Sequence, residues 1–144
     1  MKFVNLSKKF TILSVFFGVL AFGRFLDDFR LWVHYNDFER GDVLERMYIQ
    51  KEAIKAVKNG QNLPDQTIIM LEELYTQSAK KGEVRRYITM QKNNKKWKFY
   101  AFNADKSPNL SDTKRCLDCH QDSLDREDIV FTIENIKNYQ GNLE

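Results

Sequence analysis

The clearest pattern in this chain is an alternation of apolar and polar residues near its centre. Val84 to Gln91 alternates with a period of two residues, which is the repeat of a β-strand with two different faces. Trp97 to Phe102 has the same period, and the intervening Asn93-Asn94 pair favours a tight turn. Thr67 to Tyr75, which precedes them, is rich in strand-forming residues. These segments predict an antiparallel meander.

Helical spacing marks two segments before this meander. Lys51 to Asn59 predicts a helix, with Gly60 at the C′ position that ends it. Its apolar face consists of Ala53, Ile54 and Val57. Within residues 25–40 the apolar residues also have mostly helical spacing and predict a short opening helix; they are Phe25, Leu26, Phe29, Trp32 and Val33. Leu44 to Ile49 is an ambiguous strand.

The N-terminal residues have the pattern of a secretory signal peptide. Lys2, Lys8 and Lys9 precede the apolar run Phe10 to Gly23, in which small residues allow cleavage after Gly23. A membrane-spanning helix needs about 20 apolar residues, so cleavage is favoured over the alternative of an uncleaved membrane anchor. We expect residues 1–23 to be a signal peptide, residues 24–144 to form one domain, and the mature protein to be periplasmic.

The expected leader changes the interpretation of the net charge. The whole chain has 23 Lys and Arg against 20 Asp and Glu. Because three of those lysines lie in the leader, the mature domain is close to neutral, which argues against a nucleic-acid partner. A local basic cluster remains in the predicted hairpin, and we interpret it as a solvated loop. It consists of Lys92, Lys95, Lys96 and Lys98.

The pentapeptide Cys116-Leu117-Asp118-Cys119-His120 carries the most specific chemistry in the sequence. Two thiols at this spacing can each add to one vinyl group of the same porphyrin, and the following imidazole can bind the iron from one side. The motif predicts one covalently bound haem c. Cys116 and Cys119 would form its thioethers, and His120 would be an axial ligand of the iron.

A zinc site and a thioredoxin-like redox pair can use the same cysteine spacing. A structural zinc site needs four ligands, and the only other histidine is His34, far upstream. A thioredoxin-like pair lies in a βαβ unit, whereas the polar run Asp105 to Arg115 precedes this motif. Haem is therefore the preferred interpretation.

The position of the motif restricts the class of cytochrome. Only 24 residues follow His120, and all four methionines precede it. Small helical cytochromes c have the opposite arrangement, with the attachment site near the mature N-terminus and an axial methionine downstream. The four-helix cytochromes c-prime have a C-terminal motif, but the strand patterns argue against a four-helix bundle. A β-rich fold with one haem remains.

Several segments then occur in a characteristic order. They are Met47-Tyr48-Ile49, Leu63 to Ile69, Trp97 to Phe102, and the cysteine motif followed by Asp128-Ile129-Val130-Phe131-Thr132. In this order, from about Phe29 to Thr132, they resemble the cytochrome P-460 family, which includes the cytochromes c-prime-beta. The resemblance implies an α+β fold, mainly an antiparallel β-sheet with flanking helices around one covalently bound haem c. It also implies a possible homodimer and an open or apolar distal side of the haem.

The chain departs from that family at positions that matter for catalysis. In the P-460-type members a strand lysine forms an additional covalent link to the haem, and a distal carboxylate accepts protons during hydroxylamine oxidation. The resemblance places Leu71 at the lysine position and the carboxylate near Tyr87 or Ile88. None of these side chains can do that chemistry at neutral pH. Glu83 lies too close to the turn to replace the carboxylate, and Gln66 replaces the family's turn glycine.

These departures favour ligand binding over catalysis. We expect a haem protein whose ferrous iron binds a small diatomic ligand such as nitric oxide. The candidate distal pocket consists of Leu71, Ile88 and Phe99. A hydrogen bond from the second ring nitrogen of His120 would tune the iron. The alternatives are an electron carrier whose sixth iron position is closed by a side chain such as Met90, and a hydroxylamine- or nitric-oxide-oxidising enzyme. The sequence identifies neither a catalytic residue nor the redox partner.

Overall fold

The computed structural model describes residues 26–123 and 128–144, so the expected signal peptide lies outside the described residues. The strands are β1 Val33–Arg40, β2 Val43–Ile49, β3 Ile68–Tyr75, β4 Val84–Asn93 and β5 Lys96–Asn103. The helices are a 3₁₀ turn Phe29–Leu31, α1 Lys51–Lys58, α2 Leu110–Ser123 and α3 Ile133–Lys137. Within this part of the chain, no helix is long and apolar enough to cross a membrane.

The strands form one antiparallel sheet in which each strand pairs with its neighbours in sequence, in the order β1-β2-β3-β4-β5. Helices flank this sheet, which confirms the predicted α+β fold class. The three strands of the predicted meander are present, and the ambiguous segment Leu44 to Ile49 is indeed a strand. The helix predicted from Lys51 to Asn59 is also present, and Gly60 has the expected positive φ of 77°.

The prediction for residues 25–40 was wrong beyond Leu31. The opening helical segment ends there, and Val33 begins strand β1. This strand lies at the edge of the sheet, and most of its residues are exposed. A bulge between His34 and Asn36 shifts its register against β2. A bulge interrupts the alternation of residues between the two faces, so the period that identifies the other strands is missing here.

The turn between β4 and β5 lies one residue later than predicted. Its central residues are Asn94 and Lys95, with φ values of 50° and 62°. Two consecutive left-handed residues are typical of the type I′ turn that joins tightly paired strands. Asp65 supports this turn by accepting a hydrogen bond from the backbone N–H of Lys95 at 2.9 Å.

The two faces of the sheet bury different clusters of side chains. The face covered by α1, here called the front face, carries Ile49, Ile69, Met90 and Phe99 against Ala53, Ile54 and Val57 of the helix. Ile136 of α3 belongs to the same cluster. The opposite face, here called the back face, carries Tyr48, Met70, Tyr87 and Phe102, and Leu26 and Phe29 pack on it.

Lys92 does not belong to a solvated loop, which corrects part of the prediction for the basic cluster. It lies inside β4 and is only 2% exposed. Its ammonium group donates to the carboxylate of Asp128 at 2.7 Å and to the backbone carbonyl of Leu63 at 2.8 Å. The other three lysines of the cluster are exposed. A buried ammonium group needs partners of this kind because its desolvation is costly.

The back face also buries a hydroxyl group that lacks a partner. Thr89 is 1% exposed, between Met70 and Tyr100 on the neighbouring strands. Its Oγ1 makes no hydrogen bond within the described part of the chain. Burial of a hydroxyl without a hydrogen bond costs free energy.

We expect Thr89→Val to raise the free energy of unfolding by about 1 kcal/mol, because valine keeps the shape of the side chain and removes the unpaired hydroxyl. Equilibrium unfolding in urea measures this change. Thr113→Val is the matched control, because the Thr113 hydroxyl accepts from the N–H of Ala101 and donates to the carbonyl of Asn109, both at 2.9 Å. The control should lose about 1 kcal/mol. An equal loss in Thr89→Val would contradict the prediction.

Candidate functional site

Helix α2 carries the cysteine motif, and its sequence gives little helical signal. Its only aliphatic residues are Leu110 and Leu117, so it lacks a strong apolar stripe. Its start is nevertheless well defined, because the Asn109 side chain accepts a hydrogen bond from the backbone N–H of Asp112 at 3.1 Å. An asparagine followed three residues later by an acidic residue is typical of a helix N-terminus. This capping pattern could have predicted α2 from sequence.

The first turn of α2 is held against the outer edge of β5. The backbone N–H of Asn109 donates to the carbonyl of Ala101 at 2.8 Å, and the N–H of Ala101 donates to the Thr113 hydroxyl at 2.9 Å. The guanidinium of Arg86 on β4 also donates to the carboxylate of Asp112. These contacts provide hydrogen-bond partners for the unpaired edge of β5 and fix where the helix begins.

The two thiols of the motif lie one helical turn apart. Cys116 is half-buried, Cys119 is exposed, and both are free cysteines. Burial raises the pKa of the Cys116 thiol, with the positive charges of Arg86 and Arg115 acting in the opposite direction. Cys116 also lies in the middle of α2, away from the helix N-terminus that would stabilise a thiolate. These properties argue against a thioredoxin-like redox pair.

A zinc site receives no support from the rest of the site. Within the described residues, no group of three or more His, Cys, Asp and Glu side chains could hold a metal ion. The second histidine, His34, lies on strand β1, where its Nε2 contacts Asp37 at 2.6 Å and its ring lies 5.2 Å from that of Tyr48. It is therefore engaged elsewhere.

His120 is oriented by a hydrogen bond to the backbone. Its Nδ1 lies 2.7 Å from the carbonyl oxygen of Ile129. Because a carbonyl can only accept, Nδ1 carries the hydrogen and the lone pair is on Nε2. Burial lowers the pKa of His120, and the hydrogen bond to Ile129 partly opposes this. A neutral imidazole with a free Nε2 is the form that binds a metal.

Two phenylalanine rings flank this imidazole. The ring centroid of Phe99 on β5 lies 4.8 Å from that of His120. The ring centroid of Phe131 lies 4.6 Å from the same imidazole centroid, in an edge-to-face arrangement. The packing restricts rotation of the imidazole. It also places Phe99, a candidate distal residue, beside the imidazole that is the candidate proximal ligand.

The other two candidate pocket residues face each other on the front face of the sheet. Leu71 on β3 pairs with Ile88 on β4, and Met47 and Ala101 extend this row on the neighbouring strands. Both are partly buried. Leu71 packs against the same cluster as Cys116 and Leu117. Tyr87, by contrast, belongs to the back face.

The next row of the front face is charged, and sequence reasoning missed it. Glu45, Glu73 and Arg86 occupy paired positions on β2, β3 and β4. Glu73 is 1% exposed and accepts two hydrogen bonds from Arg86, at 2.6 and 2.7 Å. Burial raises the pKa of Glu45, although Arg40 at 2.6 Å acts against this shift. The sequence could have predicted that Glu73 shares a face with Leu71, because the two residues are two apart in the same strand.

Beyond this charged row, at the start of α2, a polar cleft of about 650 Å³ opens. Its walls are Tyr75, Arg85, Arg86, Asn103, Asn109, Ser111, Asp112 and Arg115. The cleft includes no residue of the cysteine motif. Its polar lining does not suit the apolar ring of a porphyrin, so we place the candidate site around Cys116, Cys119 and His120.

These residues fit a covalently attached haem. The two thiols and the neutral imidazole lie on one helix, and they are the donor set of a haem c attachment site. Phe131 is 50% exposed beside His120 and adds apolar surface that a porphyrin ring can cover. The haem would be held by Cys116, Cys119 and His120.

Comparison with known proteins agrees with this geometry. The sequence profile of the Cytochrome P460 family matches residues 26–132, which includes the whole sheet and the cysteine motif. A search of curated proteins found no match. The matched region covers well over half of the chain. The chain therefore belongs to the Cytochrome P460 family, and this membership implies that it binds haem c.

Proposed function

We propose that the chain is an exported cytochrome whose single haem c is bonded to Cys116 and Cys119 and binds a small diatomic ligand such as nitric oxide. His120 is the proximal ligand in this proposal. The main support for this proximal role is the hydrogen bond from His120 Nδ1 to the Ile129 carbonyl. This bond directs Nε2 away from the backbone. The bound haem would supply a ferrous iron with one open position.

The surrounding residues have distinct roles in this proposal. Phe99 and Phe131 hold the imidazole ring on the proximal side, since both contact it directly. The distal pocket is then reduced to Leu71 and Ile88, which present adjacent aliphatic side chains on the front face. Aliphatic side chains exclude water and offer no ligand to iron, which favours a small uncharged molecule over an anion.

An electron carrier with Met90 as sixth ligand is less well supported. Met90 is 6% exposed within the core cluster of the front face, between Ile69 and Phe99 on the adjacent strands. A buried methionine in such a cluster is ordinarily a packing residue.

Catalysis of hydroxylamine oxidation is disfavoured by Leu71, which cannot form the additional haem link. Neither nearby lysine replaces it: Lys92 is paired with Asp128, and Lys98 is exposed between the front-face residues Trp97 and Phe99. Glu45 and Glu73 do place carboxylates on the front face. The argument against catalysis therefore rests on Leu71 rather than on a lack of carboxylates.

Export and assembly complete the proposal. Residues 1–23 would act as a cleaved signal peptide and deliver the chain to the periplasm, where its redox partner would be found. The family resemblance supports a homodimer. Size-exclusion chromatography with light scattering measures its mass directly.

The first prediction concerns haem attachment. Intact-mass spectrometry after acid-acetone extraction should show the mature chain with one haem retained, and Cys116→Ala combined with Cys119→Ala should abolish this added mass. His120→Ala should destabilise the haem site. A chain with the mass of the bare polypeptide, or one that contains zinc, contradicts the proposal. The same spectrum locates the cleavage, expected after Gly23.

The second prediction concerns the sixth iron position. The reduced protein should be five-coordinate and high-spin, and it should bind carbon monoxide without first losing a protein ligand. Absorption spectra of the reduced protein with and without carbon monoxide measure this. Met90→Leu is the matched variant, and its spectra should equal those of the wild type. A six-coordinate spectrum that changes on Met90→Leu would support the electron carrier instead.

The third prediction concerns hydroxylamine. The isolated protein should have the spectrum of an ordinary haem c and should not turn over hydroxylamine with an artificial electron acceptor, because Leu71 leaves the porphyrin without an additional link. A strongly red-shifted Soret band or sustained turnover of hydroxylamine would contradict this prediction. Lys92→Met and Lys98→Met would then identify which lysine forms the link.

A further inference from the structure

The carbonyl group that orients His120 belongs to a tight turn of three residues. The backbone N–H of Val130 donates to the carbonyl of Asp128 at 2.8 Å, so Ile129 is the central residue of this turn. Val130 is 1% exposed and belongs to the core cluster of the front face. A turn of this kind has a defined backbone geometry, and holding both of its ends keeps its central carbonyl in one direction. Burial of Val130 holds one end.

The other end is held by the Asp128 carboxylate, which accepts hydrogen bonds from three donors. Lys92 Nζ and Trp97 Nε1 donate to Oδ1 at 2.7 and 3.2 Å. The backbone N–H of Leu63 donates to Oδ2 at 3.2 Å. Lys92 is 2% exposed and Asp128 is 9% exposed, so water does not compete strongly for these bonds.

Lys92 is the centre of this network. It also donates to the carbonyl of Leu63 at 2.8 Å, and its ammonium lies 5.9 Å from the centroid of the Trp97 ring. A buried ion pair often contributes no more stability than apolar residues of similar volume. This pair does fix Asp128 to the end of the sheet. Asp128 immediately precedes Ile129, whose carbonyl accepts the hydrogen bond from His120.

We propose that Lys92 and Asp128 are positioning residues for the iron ligand, acting through the Ile129 carbonyl on the hydrogen bond of His120 Nδ1. This inference rests on the proposed role of His120 as proximal ligand. A strong hydrogen bond from the second ring nitrogen makes the imidazole a better electron donor to iron and fixes the orientation of its ring. Loosening Asp128 would lengthen that bond and weaken the bond between iron and histidine.

The test uses Lys92→Met in the haem-containing protein. It removes the ammonium group while keeping an unbranched side chain of similar length. The iron–histidine stretching frequency of the reduced protein, measured by resonance Raman, should fall. The preference of the site for ferric over ferrous iron should fall about tenfold, which for a one-electron couple raises the reduction potential by about 59 mV.

Lys98→Met is the matched control, because this lysine is on the adjacent strand β5 and its side chain is exposed. Its frequency and potential should equal those of the wild type. Trp97→Phe removes only one donor to Asp128 and should shift both values in the same direction by less. Should Lys92→Met fail to fold, Trp97→Phe decides the question by itself.

The outcomes separate this inference from the proposed function. A lowered melting temperature with wild-type frequency and potential, in whichever of the two variants folds, would show that the network only stabilises the fold. That result overturns the inference. Absence of an iron–histidine band in the reduced wild type would instead contradict the proposed function, because that band requires a five-coordinate ferrous iron bonded to a histidine, and the inference would fail with it.

Discussion

The backbone hydrogen bonds of Ala101 determine where the candidate haem site lies. This residue is on β5, one of the two edge strands of the sheet, and uses its N–H and carbonyl to hold Thr113 and Asn109 at the start of α2. An unpaired strand edge is otherwise free to pair with another chain. Once the first turn is fixed, the helical rise determines how far along the sheet Cys116, Cys119 and His120 lie.

The sequence predicted those parts of the fold whose signal is local. Strands β4 and β5 and helix α1 have apolar positions with a clear period, and strand β3 is rich in strand-forming residues. Strand β1 is mostly exposed and has a bulge, so its pattern is irregular. Helix α2 has no buried residue. Strand β1 and helix α2 therefore lack the regular apolar pattern that would identify them from sequence.

For the candidate site, the sequence motif indicates which residues to consider, and only the fold shows their tertiary contacts. The cysteine motif identified the thiols and the imidazole because their spacing is specific. The partner of His120 is a backbone carbonyl, and every residue has one, so no side-chain pattern could single out Ile129. Phe99 was a candidate distal residue, but only the fold shows that it lies against His120. Gln66 was noted in place of a family glycine, and its φ of 68° explains why glycine suits that position.

Strand β4 contacts both ends of the segment that carries the candidate haem-binding residues. Arg86 binds Asp112 in the first turn of α2, and Lys92 binds Asp128 beyond the end of that helix. These two basic residues are six apart on the front face, so about 20 Å of strand separates them. The helix from Asp112 to Ser123 is about 17 Å long. The separation of the two basic residues along the strand is thus similar to the length of the helix, and two ion pairs tie strand β4 to the first turn of α2 and to Asp128. The imidazole can then be directed by a carbonyl that follows it in sequence, because Asp128 is fixed to the same strand that positions Asp112.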